Sequence, residues 1–146
     1  MSLSVIGAAV AGLASTLVMS ITMAVAPRMD LPPMDFAGWL ANLLGVPRLR
    51  ALGFVAHLLI GVGWAFAYAA LWSAGIGSPD VTIGLLFGIA HWLIAGALFG
   101  LLSSWRPGMP GLYFRNLHGN MGFFGGLMLH IIYGLTMGLV YQFFHP

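Results

Sequence analysis

Four apolar runs, each long enough to cross a lipid bilayer, dominate the sequence. They cover residues 3–26, 51–74, 81–104 and 122–144. A bilayer core about 30 Å thick is crossed by a helix of about 20 apolar residues. In lipid, only an α-helix or a closed β-barrel satisfies its own backbone hydrogen bonds. The runs therefore predict an all-α fold, a four-helix transmembrane bundle that forms one integral membrane domain over residues 1–146.

The charge content supports a lipid-embedded chain. Only 5% of the residues are charged and 60% are hydrophobic, whereas soluble domains carry about 25% charged residues. Five basic and three acidic side chains are too few to form a nucleic-acid surface. The chain has no cysteine, and its aspartates all lie outside the apolar runs. Thiolate chemistry and carboxylate-assisted histidine catalysis therefore lack their residues, and we expect no enzyme activity.

The arginines predict how the chain is oriented. All five lie in the two connectors, residues 27–50 and 106–121. By the positive-inside rule, both connectors face the cytoplasm, while both termini and the turn at residues 75–80 lie outside. The expected location is a prokaryotic cytoplasmic membrane, which the chain crosses several times. In the first connector, apolar residues recur at helical spacing between Asp35 and Gly45, which predicts a short interfacial helix.

A motif of glycine, histidine, glycine and tyrosine occurs twice with the same spacing. The first copy is Gly53, His57, Gly61 and Tyr68, and the second is Gly126, His130, Gly134 and Tyr141. On a helix these residues return to nearly one face, so each histidine lies between two glycines. Together with an Arg-x3-Pro element in each connector, the motif indicates tandem duplication of residues 3–74 and 81–144. Two spans per repeat imply a pseudo-two-fold axis along the membrane normal.

The sequence around the motifs also suggests a family. The run TLVMSITMAVAPRMDLPPMD is followed by two helices with the pattern H-x3-G-x6-Y. In these features the chain resembles an uncharacterised family of small prokaryotic four-span integral membrane proteins, a domain of unknown function. The resemblance covers nearly the whole chain and implies the same fold, but it carries no activity to transfer.

The repeated histidines suggest a platform for a tetrapyrrole. An ionisable residue within a span is a functional candidate by default. Glycines one turn to either side would leave a bare strip on which a planar macrocycle reaches its axial histidine. The candidate cofactor-binding residues are His57, His130, Gly53, Gly61, Gly126, Gly134 and His91, with His57 and His130 as the metal ligands. Haem b or a (bacterio)chlorophyll would suit this pattern.

Depth within the membrane separates the histidines. Counted at about 1.5 Å per residue from the connector ends of their spans, His57 and His130 lie roughly 9 and 12 Å deep, and His91 about 20 Å deep. One haem between His57 and His130 is then allowed, whereas His91 is too far from both to share one metal ion. We expect His91 to donate a hydrogen bond or to serve a second cofactor. His118 and His145 lie outside the spans and are expected to be solvated or at headgroup level.

The same residues have simpler interpretations. Glycines four residues apart commonly form helix-packing surfaces, and a histidine among them hydrogen-bonds a carbonyl or hydroxyl group on the next helix. The motif tyrosines would then be interface anchors near the outer boundary. A simple metal site or a quinone site is a further alternative.

The whole pattern favours a role in binding or assembly. We expect a small non-catalytic subunit that packs within a larger respiratory or photosynthetic membrane complex, with or without a tetrapyrrole on its histidines. Its partners would be the lipid bilayer and either other membrane subunits or a second copy of the chain. The alternatives are a free-standing bis-histidine haem b or pigment protein, and an oligomeric small transporter or channel.

Overall fold

The computed structural model describes residues 2–117 and 119–144. Met1, His118, His145 and Pro146 lie outside the described residues, so the predicted settings of His118 and His145 stay predictions. Within the described ranges the chain forms five α-helices and no β-strand. The helices are α1 (Val5–Val25), α2 (Phe36–Leu43), α3 (Arg50–Ser73), α4 (Val81–Trp105) and α5 (Asn120–Tyr141).

Four of these helices are long and apolar enough to cross a membrane. They are α1 with a 3₁₀ turn that extends it to Met29, α3, α4, and α5 with a turn that extends it to Phe144. Each covers one apolar run, and the prediction of an all-α fold with four long apolar helices is confirmed. Ser4 and Asp80 cap α1 and α4, because each side chain accepts a backbone N–H from the first turn.

The short helix α2 confirms the helix predicted in the first connector. The carboxylate of Asp35 caps α2 by accepting the N–H of Gly38 at 2.9 Å. Gly45, with φ of +77°, follows the end of the helix. α2 rests on the first turns of α3, where a Cβ on Gly53 would overlap the carbonyl of Ala37. Gly53 is therefore the position that lets these two helices touch.

The long helices form a bundle with unequal interfaces. α1 packs closely on α3 and α5, and α4 packs closely on α5. Gly84 and Gly134 bring the α4 and α5 backbones together, since a Cβ on either would overlap the other's carbonyl oxygen. Between α3 and α4 the contact is made instead by large rings, such as Trp72 stacked on Phe87 with centroids 5.6 Å apart. The turn between these two helices therefore joins neighbours that aromatic side chains hold apart.

The second connector folds back into the bundle beside α4. Tyr113 covers Gly96 and Leu112 covers Gly100, so that a Cβ on either glycine would collide with the connector. The chain reverses where Tyr113 and Phe114 adopt positive φ values of 49° and 61°. Phe114 is only 2% exposed, because this reversal turns its ring into the bundle. The connector is thus a packed element rather than a surface loop.

This fold-back changes the register of α5 against α4. Gly88 of α4 lies against the backbone of His130 and Ile131. In an antiparallel pair with this register, α5 starts about two turns short of the connector end of α4. Residues near the start of α5 are therefore deeper in the bundle than their distance from Asn120 suggests.

Candidate functional site

Three buried histidines from three helices lie in the interior of the bundle. His57 on α3, His91 on α4 and His130 on α5 are 5%, 7% and 4% exposed. A buried imidazole in an apolar bundle requires hydrogen-bond partners from the protein itself. The helices supply these partners as hydroxyl groups and a backbone carbonyl.

His91 and His130 are in direct contact. Their ring centroids are 4.6 Å apart and their planes are perpendicular. Trp64 stacks on His91 at 3.9 Å, and the hydroxyl of Tyr68 lies 3.4 Å from His91 Nδ1. The prediction that His91 is too far from the other histidines was wrong for His130. The count of residues from the span end placed His130 too shallow, because it took no account of the folded-back connector.

His130 bonds within its own helix through Nδ1. Its Nδ1–H donates to the carbonyl of Gly126 at 2.7 Å. A carbonyl only accepts hydrogen bonds, so Nδ1 carries the proton and Nε2 of the neutral ring is an acceptor. The simpler interpretation placed the partner on the next helix, whereas this bond runs one turn back along α5 itself.

His57 bonds across helices, to α1, through one of its two ring nitrogens. The hydroxyl of Ser20 donates to the carbonyl of Thr16 at 2.7 Å. With its proton engaged there, Ser20 accepts from His57 Nδ1–H, 3.3 Å away. Nε2 of His57 is then an acceptor, and it has no hydrogen-bond partner among the described residues. A neighbouring ring, Phe36, lies 4.6 Å from the imidazole centroid.

The glycines beside both histidines are covered by neighbouring residues. A Cβ on Gly53, Gly61, Gly126 or Gly134 would overlap Ala37, Thr16, Phe114 and Gly84 respectively. The strip predicted to be bare for a macrocycle is therefore filled, and the surroundings of His57 and His130 do not fit a tetrapyrrole. Nor do the described residues contain a group of three or more His, Cys, Asp or Glu side chains suited to one metal ion. These contacts favour the packing interpretation of the glycines.

The motif tyrosines face the bundle interior instead of the membrane boundary. Tyr68 is 2% and Tyr141 0% exposed, and Tyr141 accepts the backbone N–H of Ser4 at 3.1 Å. The prediction of interface anchors was wrong, because both hydroxyls interact within the bundle. Sequence reasoning also missed Tyr133, whose hydroxyl donates to the carbonyl of Gly61 at 2.5 Å. The sequence did hold a signal for Tyr133, because this residue departs from the repeat: the first motif copy has Ile60 at the matching position.

Two cavities lie side by side near the connectors. One, the polar cavity, has a volume of about 370 Å³ and is lined in part by Ser20, Asp35, Phe36, Arg50, Phe54 and His57. The other, the apolar groove, has a volume of about 390 Å³ and lies between α1 and α5, with lining residues that include Leu31, Phe124, Met128 and Leu129. Met23 and Met34 line both. His57 thus belongs to a cavity with an apolar neighbour, whereas His91 and His130 line neither.

The sequence model of a family of unknown function, DUF6789, matches residues 3–146. The chain belongs to the DUF6789 family. Membership confirms the resemblance to a family of unknown function with four apolar helices, while the prokaryotic origin stays a prediction. No curated protein and no solved structure matches the chain. The chemistry of this DUF6789 chain therefore has to be argued from its own site.

Proposed function

We propose that the protein is a small non-catalytic subunit that acts by binding within a larger membrane complex. The observation that carries this proposal is the polar cavity, which His57 lines and where its Nε2 has no hydrogen-bond partner among the residues that the structure describes. The carboxylate of the same cavity, Asp35, is held by Arg50 at 2.7 Å and also caps α2. Since Asp35 is occupied by these roles, the cavity supports ligand binding better than acid–base catalysis.

The subunit role is supported by how little of the chain lies outside the four long helices. Large apolar side chains such as Ile6 and Leu59 are 71% and 67% exposed on the outer faces of α1 and α3. In a bilayer these faces meet lipid or another subunit. We propose a respiratory or photosynthetic complex as the setting.

Native purification tests the subunit role. A tagged chain expressed at its natural level and extracted in mild detergent is expected to migrate with stoichiometric partners. Since the chain has no cysteine, a Leu59→Cys variant provides a single site for crosslinking on the outer face, with the buried Ala65→Cys as its control. A chain that migrates alone and crosslinks to nothing at Leu59→Cys would contradict the proposal.

The tetrapyrrole version of the function is not part of the proposal, because the strips beside the histidines are filled. We expect the purified protein to be colourless in the visible range. A Soret or Qy band that disappears in both His57→Ala and His130→Ala would contradict this expectation and would restore ligation by the two histidines.

The orientation and origin of the chain are further parts of the proposal. Both connectors lie at one end of the bundle, where the amide of Asn42 donates to the carbonyl of Pro107 at 3.4 Å. We propose that this arginine-bearing end is cytoplasmic and that both termini are outside. An impermeant maleimide should then label Ala74→Cys in intact cells and Ser104→Cys only after lysis. The reverse pattern would overturn the orientation.

We also propose that residues 3–74 and 81–144 arose by tandem duplication within a single domain. The repeated motif supports this origin. A two-fold relation would make the α1–α5 and α3–α4 interfaces equivalent. Because α1 and α5 pack closely while aromatic rings separate α3 from α4, the two repeats would have diverged after the duplication.

A further inference from the structure

The two cavities beside His57 have complementary character. The polar cavity brings together an imidazole, a hydroxyl, a carboxylate and a guanidinium group from His57, Ser20, Asp35 and Arg50. The apolar groove next to it is lined almost wholly by apolar side chains of α1, α5 and the first connector. Volumes of about 370 and 390 Å³ each fall in the size range of small-molecule sites. Together they suit a molecule with a polar head and an apolar tail.

The charges of the polar cavity select an uncharged head. Arg50, whose guanidinium lines the cavity, is paired with Asp35 at 2.7 Å. This pair is neutral overall, and among the described residues no further arginine or lysine lines the cavity to bind a phosphate. A phospholipid headgroup would therefore lose hydration here without gaining a counter-charge.

The hydrogen bonds select a head that donates. Ser20 uses its proton on Thr16 and accepts from His57 Nδ1–H, which leaves His57 Nε2 as an acceptor. A ligand that satisfies Nε2 must bring a hydrogen-bond donor, such as a hydroxyl group. A carbonyl group, which only accepts, would meet the lone pair of Nε2 unfavourably.

The aromatic rings of the cavity favour a planar head. Phe36 lies 4.6 Å from the His57 ring, and Phe54 also lines the cavity. Aromatic rings stabilise one another through edge-to-face and offset-stacked contacts, beyond the area that they bury. A flat aromatic ring that bears a hydroxyl group fits these surroundings better than an aliphatic alcohol.

We propose that the two cavities form one site for a lipid-soluble quinol. A phenolic hydroxyl of the quinol donates to His57 Nε2, the ring packs on Phe36, and the isoprenoid chain passes between Met23 and Met34 into the apolar groove. The inference rests on the proposed binding function and adds the ligand class. It concerns binding only and assigns no electron transfer to the chain.

Calorimetry on the full chain in nanodiscs of neutral phosphatidylcholine tests the inference. Under anaerobic conditions, decylubiquinol is expected to bind at least tenfold more tightly than its oxidised form, decylubiquinone. His57→Phe should weaken quinol binding about tenfold and remove the preference for the reduced form, because the acceptor is lost. Absence of quinol binding, equal affinity for both forms, or a preference that survives His57→Phe would each overturn the inference.

A second pair of variants keeps the test informative if His57→Phe does not fold. Met34 lines both cavities, so Met34→Trp places a bulky ring where they adjoin and is expected to abolish quinol binding. Leu59→Trp adds the same ring on the outer face of α3, where Leu59 is 67% exposed, and should leave binding unchanged. Equal effects of the two variants would show that the quinol is in bulk lipid and would overturn the site.

This result is separable from the subunit role. A chain that binds quinol but purifies alone would overturn the subunit role and leave the quinol site standing. A chain that purifies in a stoichiometric complex without quinol binding would do the opposite.

Discussion

The two copies of the Gly-His-Gly motif have the same spacing and very different surroundings. Around His130 the structure is closed, since Phe114 and Gly84 cover the flanking glycines and His91 lies against the ring. Around His57 it is open, because the ring lines a cavity of about 370 Å³. The first histidine bonds to another helix through Ser20, whereas the second bonds to its own helix.

The comparison shows that the motif determines that each histidine is buried, whereas the helix packed against it determines its surroundings and contacts. Helical spacing places each histidine on an inward face whichever helix carries it. α5 meets the glycine-rich face of α4, which allows close backbone contact. α3 meets α1, where the Ser20 hydroxyl, which donates to the backbone carbonyl of Thr16, also bonds the His57 imidazole beside the cavity. Identical motifs therefore produced one structural position and one candidate binding position.

The largest expected effect is at the glycine contact between α4 and α5, next to His130. Gly134→Leu places a side chain where the α4 backbone lies, and we expect a loss of stability of at least about 3 kcal/mol. Gly63→Leu makes the same replacement on α3 where a Cβ would meet nothing within 4 Å, and should be neutral or slightly stabilising. Thermal unfolding in detergent, followed by size-exclusion chromatography, measures both. Similar melting temperatures for the two variants would show that the α4–α5 contact is not tight.

The two histidines should differ in what their removal costs. His130→Ala leaves a void against His91 and Phe114 and is expected to destabilise the protein by about 2–3 kcal/mol. His57→Ala mainly enlarges an existing cavity and should cost about 1 kcal/mol. Denaturant titrations monitored by tryptophan fluorescence provide the comparison. Equal losses of stability, or a larger loss for His57→Ala, would contradict the inference that His130 is closely packed and that His57 lines a cavity.

A smaller effect is expected at the hydrogen bond that joins α5 to α3. Tyr133 of α5 donates to the carbonyl of Gly61 on α3, and Tyr133→Phe should cost about 1 kcal/mol. Tyr113→Phe is the matched control, because the contacts described for Tyr113 are made by its ring. The same titrations apply. A loss of stability for Tyr113→Phe as large as for Tyr133→Phe would show that the hydrogen bond from Tyr133 to Gly61 does not stabilise the contact between α5 and α3.

An effect of similar size, which disappears in acid, concerns the N-terminal cap of α4. Hydrogen bonds from Ser78 and from the N–H of Ile83 hold the pKa of Asp80 below its ordinary value. The cap therefore stabilises fully above the unfolded pKa of about 4 and is lost as pH falls through the lower folded value. Asp80→Ala should cost about 1 kcal/mol at neutral pH, with the gap to the wild type closing in acid. Asp80→Asn, which caps without titrating, should show no such pH dependence.

The helices were predictable from the sequence because lipid imposes length and apolar composition on each of them separately. The short helix α2 was predictable as well, since Asp35 and Gly45 are local signals. The contact between His91 and His130 was not, because it depends on the path of the second connector. That path turns on positive φ values at Tyr113 and Phe114, for which an aromatic residue provides no sequence signal.

The candidate site was only partly predictable for a similar reason. The motif identified His57 as a residue on the inward face of its helix, because this inference depends only on residue spacing within α3. The cavities depend on where the first connector brings Met34 and Phe36 relative to α1 and α5. Such placement is a property of three elements together, so no local pattern records it.

The apolar groove has a consequence for the order in which the chain matures. Its walls come from α1 and α5, the first and the last of the long helices to leave the ribosome. α1 can meet α3 early in synthesis, but the groove exists only once α5 has inserted beside α1. A molecule that occupies the groove would therefore distinguish a bundle in which α5 has joined α1 from an intermediate in which α1 has met only α3.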